Sequence, residues 1–232
     1  MTNDSPTVGR VAIVVGAAGE LGRATAVKLA DRGMTVVGVD RNELGLEGLP
    51  DGVRREVVDA TDPNAAAPMV ERIAHDLGPP DTLVNTLGAF QPGDALTTTP
   101  DLLRLMIDVN LGPALWLTQA VAPHMQRNGS GAIVHIAARP GIEPSGGMAA
   151  YSASKAALVH LTRILDIELR PLGIRVNSVA PQLLDTAQAR ATFPKEVLAH
   201  AVAPEAIAEV VSFLVSEAAA PISGAILPAY GA

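Results

Sequence analysis

Seven short runs rich in Val and Ile recur along the chain: RVAIVVG from Arg10, MTVVGVD from Met34, VRREVVDA from Val53, DTLVNTLGA from Asp81, GAIVHIAA from Gly131, IRVNSVAP from Ile174 and GAILPAY from Gly224. Helix-length segments separate most of them. Near-continuous apolar strands are buried on both faces, and long crossovers between them call for parallel pairing. The pattern predicts an α/β fold, a Rossmann-type doubly wound parallel sheet of about seven strands with helices on both faces. The stretch from Asn42 to Asp51 is too short and too broken by Gly and Pro for a full crossover helix, so a helical turn or two is expected there. No internal repeat, low-complexity tract or long linker divides the 232 residues, and one domain over 1–232 is expected.

Composition narrows the function classes. A formal charge of −7 leaves no basic cluster to offset phosphate repulsion, so nucleic-acid and anionic-membrane partners are not expected. Small neutral or organic substrates fit better. The absence of cysteine removes disulfides, thiolate catalysis and thiolate metal sites. The histidines lack metal-ligand spacing, and no metal is expected. The opening segment MTNDSPTVGR has no apolar signal-peptide core and no run is long enough to span a bilayer, which makes a cytoplasmic location the default expectation.

The segment RVAIVVGAAGELGRATAVKLADRG reads as strand, tight turn, helix, with Gly16, Gly19 and Gly22 at intervals of three. Such a turn, with the helix start at Leu21 and Gly22, aims backbone N–H groups and a positive helix end at a phosphate. A tightly packed strand-to-helix turn is the bland alternative. Asp40, ending the second strand 24 residues after Gly16, tips the balance, because a carboxylate there accepts hydrogen bonds from ribose hydroxyls and repels a 2′-phosphate. NAD(H) is favoured, and the adjacent Arg41 leaves NADP(H) open.

At this point the chain resembles the short-chain dehydrogenase/reductase family. The likeness rests on the Gly-rich turn with Asp40, VVDAT at Asp59, VNTLG from Val84, DVNLG at Asn110, YSASK at 151–155 and VNSVAPQLLDT at 176–186, in the family's order and spacing. The resemblance implies that Asp59 and Ala60 contact adenine, that Asn85 and Gly88 line its side of the cleft, and that Thr186, after Pro181, holds the nicotinamide amide. Each has a bland alternative: Asp59 a turn residue, Asn85 a sheet-end cap, Thr186 a helix N-cap. The helices at 100–127 and 151–170 resemble those that build the family's homotetramers, so a homo-oligomer, dimer or tetramer, is expected.

Tyr151 and Lys155, four residues apart, share one helix face, so an ammonium can sit near a phenol and lower its pKa toward neutrality. Tyr151 would then give a proton to the substrate as the nicotinamide gives hydride, while Lys155 also bonds the cofactor ribose. Asn110, within the helical stretch 100–127, matches the family position that kinks the helix and orders a water linking Lys155 to solvent; a satisfied core amide is the alternative. The family usually places a serine thirteen residues before the tyrosine, and here that position is Ala138. Val15, Glu20, Thr86, Leu87 and Gln182 also depart from the usual pattern.

Ala138 carries a narrower resemblance, to the quinonoid dihydropteridine reductase branch, whose members also have alanine there and use NADH. The expected activity is hydride transfer between NAD(P)(H), with NAD(H) preferred, and a small carbonyl, alcohol or related organic substrate. The alternatives are a quinonoid dihydropteridine reductase-like enzyme and a catalytically weak dinucleotide-binding regulator.

Overall fold

The computed structural model describes residues 9–231. The expectation drawn from MTNDSPTVGR therefore lies almost wholly outside the described residues. The strands are β1 (Val11–Val15), β2 (Thr35–Asp40), β3 (Arg54–Val57), β4 (Pro80–Asn85), β5 (Gly131–Ile136), β6 (Ile174–Pro181) and β7 (Ile226–Ala229). All seven are parallel and lie in one sheet, in the order β3-β2-β1-β4-β5-β6-β7. The chain first builds outward from β1 to β3 and then returns to β1's other side with β4. The turns leaving β1 and β4 thus diverge and open a cleft at the carboxyl ends of the strands, the place where sheets of this kind bind ligands.

Alternate strand residues serve opposite faces. Val14, Val36, Val134 and Val179 pack with Leu21 and Leu29 of α1 (Glu20–Asp31) and Val211 and Leu214 of α9 (Pro204–Val215). Ile13, Val37, Leu83, Ile133 and Val176 face the other way. They meet Met69 and Ile73 of α3 (Ala66–Leu77), Leu117 and Val121 of α5 (Gly112–Asn128), and Leu165 of α6 (Ala149–Leu169). Between β2 and β3 lies only the single-turn α2 (Glu43–Leu46), as the Gly and Pro content predicts.

The stretch 100–127 departs from one continuous helix. It forms α4 (Pro100–Asn110) and α5, separated at Leu111. Pro113 has no N–H to offer Val109, and the Ala114 N–H bonds to the Leu111 carbonyl at 3.1 Å. The break leaves Asn110 at the end of a helix, facing α6. A strap fixes the remaining wall: Gly93 N–H donates to Gly147 O at 2.9 Å and Ala149 N–H to Gly93 O at 2.8 Å, drawing the segment after β4 onto the start of α6.

Candidate active site

β1 runs into a turn that Gly16 opens at φ +86°. The N–H groups of Gly16 and Ala17 both donate to the Val39 carbonyl, at 2.8 and 3.1 Å, which ties the turn to β2. A Cβ at Gly22 would stand 2.1 Å from the Gly16 carbonyl oxygen, and one at Gly19 would stand 3.3 Å from it. Gly19 is also the N-cap of α1 and has no side chain to occupy the first-turn N–H groups. A tight, uncapped helix start of this kind suits a diphosphate, so the residues present fit a dinucleotide. Leu21 offers only its main chain to that cradle, because its side chain is buried in the core.

Asp40 is half-buried beside the turn, accepting from the Ala18 N–H at 3.2 Å and the Asn42 N–H at 2.9 Å. Arg41 turns away toward Asp59, 3.4 Å off. Asp59 also accepts from the Thr61 N–H and hydroxyl, and those bonds hold its carboxyl below the usual carboxylate range. Ala60 is buried, with its carbonyl taking the Trp116 indole N–H at 2.8 Å. Asn85 accepts from Leu87 N–H at 3.1 Å, Pro181 ends β6 opposite Ala229, and Thr186 caps α7 (Ala187–Thr192) by accepting from Ala189 N–H at 3.1 Å. The bland structural roles of Asp59, Asn85 and Thr186 are thus all visible. Each still faces the same end of the sheet as the glycine turn.

Lys155 and Asn110 meet beside Gly88, just after β4. Lys155 is 3 % exposed, and its Nζ donates to the Ile136 carbonyl at 2.9 Å. A Cβ at Gly88 would lie 3.2 Å from that Nζ and 3.3 Å from Asn110 Oδ1, so any larger residue there would press on both. Asn110 accepts from Ala89 N–H at 2.9 Å and donates to Ala89 O and Ser154 Oγ, each at 3.0 Å. Ser154 in turn donates to the Tyr151 carbonyl at 2.7 Å. The Asn110 amide is therefore saturated and works as a clamp joining α4, the segment after β4 and α6. A proton path at this residue would have to use its main-chain carbonyl at the helix break.

The phenol differs from expectation. Burial pushes Tyr151 up to about 12, and burial likewise pushes Lys155 down to about 8. The ammonium is directed at Ile136 O and loses its own hydration, so it gives the phenol no net relief. Tyr151 as placed is an acid that stays protonated across neutral pH. Phe90 meets its ring edge-on at 5.1 Å between centroids, and Phe193 lies 6.3 Å beyond Phe90, forming an aromatic wall.

Ala138 is buried where β5 gives way to a 3-10 turn at Arg139–Gly141. Gly141 packs against α6 so closely that a Cβ would stand 2.7 Å from the Lys155 carbonyl carbon. Arg139 donates to Glu143 at 2.8 Å and to Gln182 Oε1 at 2.9 Å, and its guanidinium lies 4.9 Å above the Tyr230 ring. Glu20, which stands in a usual glycine position, accepts from Ala187 N–H at 2.7 Å and so bridges α1 to the start of α7. The aromatic wall, the Arg139 to Gln182 link and the Glu20 bridge were not apparent in the sequence, since all join residues distant along the chain. His135 was also missed. It is fully buried next to Lys155's carbonyl partner, neither ring nitrogen has a protein partner, and burial, with the Lys155 charge, pushes it down to about 4.

Known proteins resemble the chain over nearly its whole length. Residues 10–197 match the short chain dehydrogenase family. The chain is 35 % identical to cis-4-hydroxycyclohexanecarboxylate dehydrogenase of Sinomonas cyclohexanicum, over 96 % of this chain and 95 % of that one. It is 31 % identical to the 3-oxoacyl-[acyl-carrier-protein] reductase FabG of Thermotoga maritima, over 94 % and 95 %. The crystal structure of a short-chain dehydrogenase/reductase from Burkholderia xenovorans superposes with a TM-score of 0.90 at 29 % identity, covering 97 % of this chain and 96 % of the other. With a glycine cradle at the β1 turn and a Tyr151 and Lys155 pair behind the same cleft, the chain belongs to the short-chain dehydrogenase/reductase family of NAD(P)-dependent oxidoreductases.

Proposed function

We propose that the whole chain acts as one dinucleotide-binding unit that reduces a small organic carbonyl to an alcohol, with NAD(H) preferred. One observation carries this reading: the buried Lys155, one helical turn after Tyr151, lies against Gly88 at the wall of the cleft that the glycine turn opens. When bound, the nicotinamide supplies the hydride. Tyr151, protonated across neutral pH, gives the proton to the carbonyl oxygen. Lys155 places a positive charge beneath the site and would bond the cofactor ribose, while Phe90 and Phe193 offer apolar surface to the substrate.

The NAD(H) preference is supported by Asp40 beside the cradle and by Arg41 being engaged with Asp59 in place of a 2′-phosphate. Leu103, Leu105, Leu115, Ile164 and Ile167 are exposed on α4, α5 and α6, which supports a homo-oligomer. Among the described residues no helix is long and apolar enough to cross a membrane, and a cytoplasmic setting belongs to the same reading. Ala138 favours a second reading, reduction of a quinonoid pterin, whose conjugated imine needs less polarisation than a ketone.

The test is turnover of NADH and NADPH against cyclohexanone, a 2,3-diketone, a 3-oxoacyl thioester and quinonoid dihydropterin, with sizing in solution. Ketone turnover that falls about 100-fold or more in Tyr151→Phe, with NADH affinity spared, is expected. Pterin turnover alone would select the second reading. NADH binding with no turnover at all would instead leave a dinucleotide-binding regulator.

A further inference from the structure

Glu20 stands at a usual glycine position, in the turn that would take the cofactor's phosphates. It is the first residue of α1, directly after the uncapped Gly19. A carboxylate in the first turn ordinarily serves its own helix dipole. This one reaches elsewhere: its Oε1 accepts from Ala187 N–H, 167 residues on, and its Oε2 stands 3.9 Å from Arg190.

The sheet order shows what that reach spans. Glu20 follows β1 and Ala187 follows β6, with β4 and β5 lying between those strands. The bridge therefore spans the side of the cleft built on the carboxyl ends of β4 and β5. The same two ends carry Gly88, just beyond β4, and the Ile136 carbonyl of β5 that holds Lys155, with Tyr151 one helical turn before it. Asp40 lies on the opposite side of β1, at the end of β2. A dinucleotide with its diphosphate at Gly19 and its adenosine toward Asp40 would have its hydride-bearing ring in the half that Glu20 spans.

Arg190 does not cancel this charge. Its Nη1 is bonded to Asp185 at 2.7 Å, so Glu20, Arg190 and Asp185 together leave one negative charge beside that half of the cleft. The Glu20 side chain is 43 % exposed, which sets the scale: the charge is felt over a Debye length of about 10 Å at 0.1 M salt, at the modest strength of exposed pairs.

We infer that the Glu20 carboxylate biases the cleft toward the oxidised cofactor, attracting the positive ring of NAD+ and offering the neutral ring of NADH nothing. This rests on the dinucleotide-binding reading above. Both forms carry the same diphosphate, so its repulsion by Glu20 cancels in the comparison and only the charge of the ring differs. Because the oxidised ring belongs to the product side of carbonyl reduction, the same charge draws hydride transfer on the protein toward the alcohol.

The test is the dissociation constant of NADH, from its fluorescence, divided by that of NAD+, from displacement of NADH. Glu20→Gln removes the charge and keeps an oxygen for the Ala187 N–H. In that variant the ratio should fall about threefold, the size expected for one exposed charge pair. Glu20→Ala also gives up the bridge, and should lower the ratio by a similar factor whatever it does to the two constants in common. Asp31→Asn removes an equal charge at the other end of α1, roughly 17 Å along the helix, and should leave the ratio at the wild-type value. A ratio unmoved or raised in Glu20→Gln, or moved as far by Asp31→Asn, overturns the inference and leaves the cofactor site standing. A wild type that binds neither form removes the dinucleotide reading and the inference with it.

Discussion

Gly22→Ala probes the cradle most sharply. In an ordinary helix the change stabilises by about 1 kcal/mol, because alanine loses less backbone freedom on folding. Here the new methyl would meet three main-chain atoms: Gly16 O at 2.1 Å, Gly16 C at 2.7 Å and Ala17 Cα at 2.8 Å. None is the end of a flexible side chain, so the turn itself must move by roughly 1.4 Å to bring Gly16 O to ordinary contact near 3.5 Å. Overpacking costs about 1–3 kcal/mol, and rigid backbone on every side argues for the upper end. Set against the propensity gain, a net loss of about 2 kcal/mol follows, or a fall in melting temperature of roughly 4–8 °C for a chain of this size. A shifted turn also misaligns the phosphate donors, and a tenfold weaker NADH complex corresponds to about 1.4 kcal/mol. The assay is thermal unfolding with and without NADH, beside a fluorescence titration. Gly52→Ala is the control, since nothing lies within 4 Å of a Cβ there. An unchanged or raised melting temperature in Gly22→Ala, with NADH affinity intact, would refute the cradle argument.

Acid should weaken the fold through His135: its pKa falls from 6.5 when unfolded to about 4 when folded, so the unfolded chain binds more protons in that window and about 3 kcal/mol is lost between pH 6.5 and 4. Denaturant titrations of His135→Asn should show a flatter dependence there; an unchanged slope would show that the imidazole is not the group responsible. Lys155 has the same sign at higher pH, with a folded pKa of about 8 against 10.5, so the cost of burying its charge is full below pH 8 and fades toward pH 10.5. Lys155→Met should therefore be inactive yet more stable by about 2 kcal/mol at pH 7, after allowing about 1 kcal/mol for the unpaired Ile136 carbonyl, with the advantage shrinking by pH 10. A variant less stable than wild type at pH 7 would contradict it.

What the sequence makes legible follows from how local each signal is. Val and Ile runs mark strands because the backbone period is set residue by residue, and all seven appear where the pattern puts them. The Gly16 turn and the Tyr151 to Lys155 spacing are equally local, being contained in one turn and one helix. The kink at Asn110 was expected from the family resemblance alone, whereas the structure divides the stretch into two helices at Leu111, ahead of Pro113. Long-range pairs were not. Nothing near Arg139 points to Gln182, 43 residues on, and nothing near Gly93 points to Gly147. The fate of the phenol was hidden for a related reason: spacing says that an ammonium shares its face, while burial and the Ile136 carbonyl decide which effect wins.

The Glu20 bridge gives the cleft a fastener that packing alone would not. One carboxylate on the first helix grips the amide at Ala187, and Arg190 stands 3.9 Å away on its other oxygen. Contacts of this exposed, charged kind weaken as salt rises, whereas the apolar layers beneath do not. How firmly the first helix is joined to α7 therefore depends on ionic strength, while the packing of the sheet and its apolar layers does not.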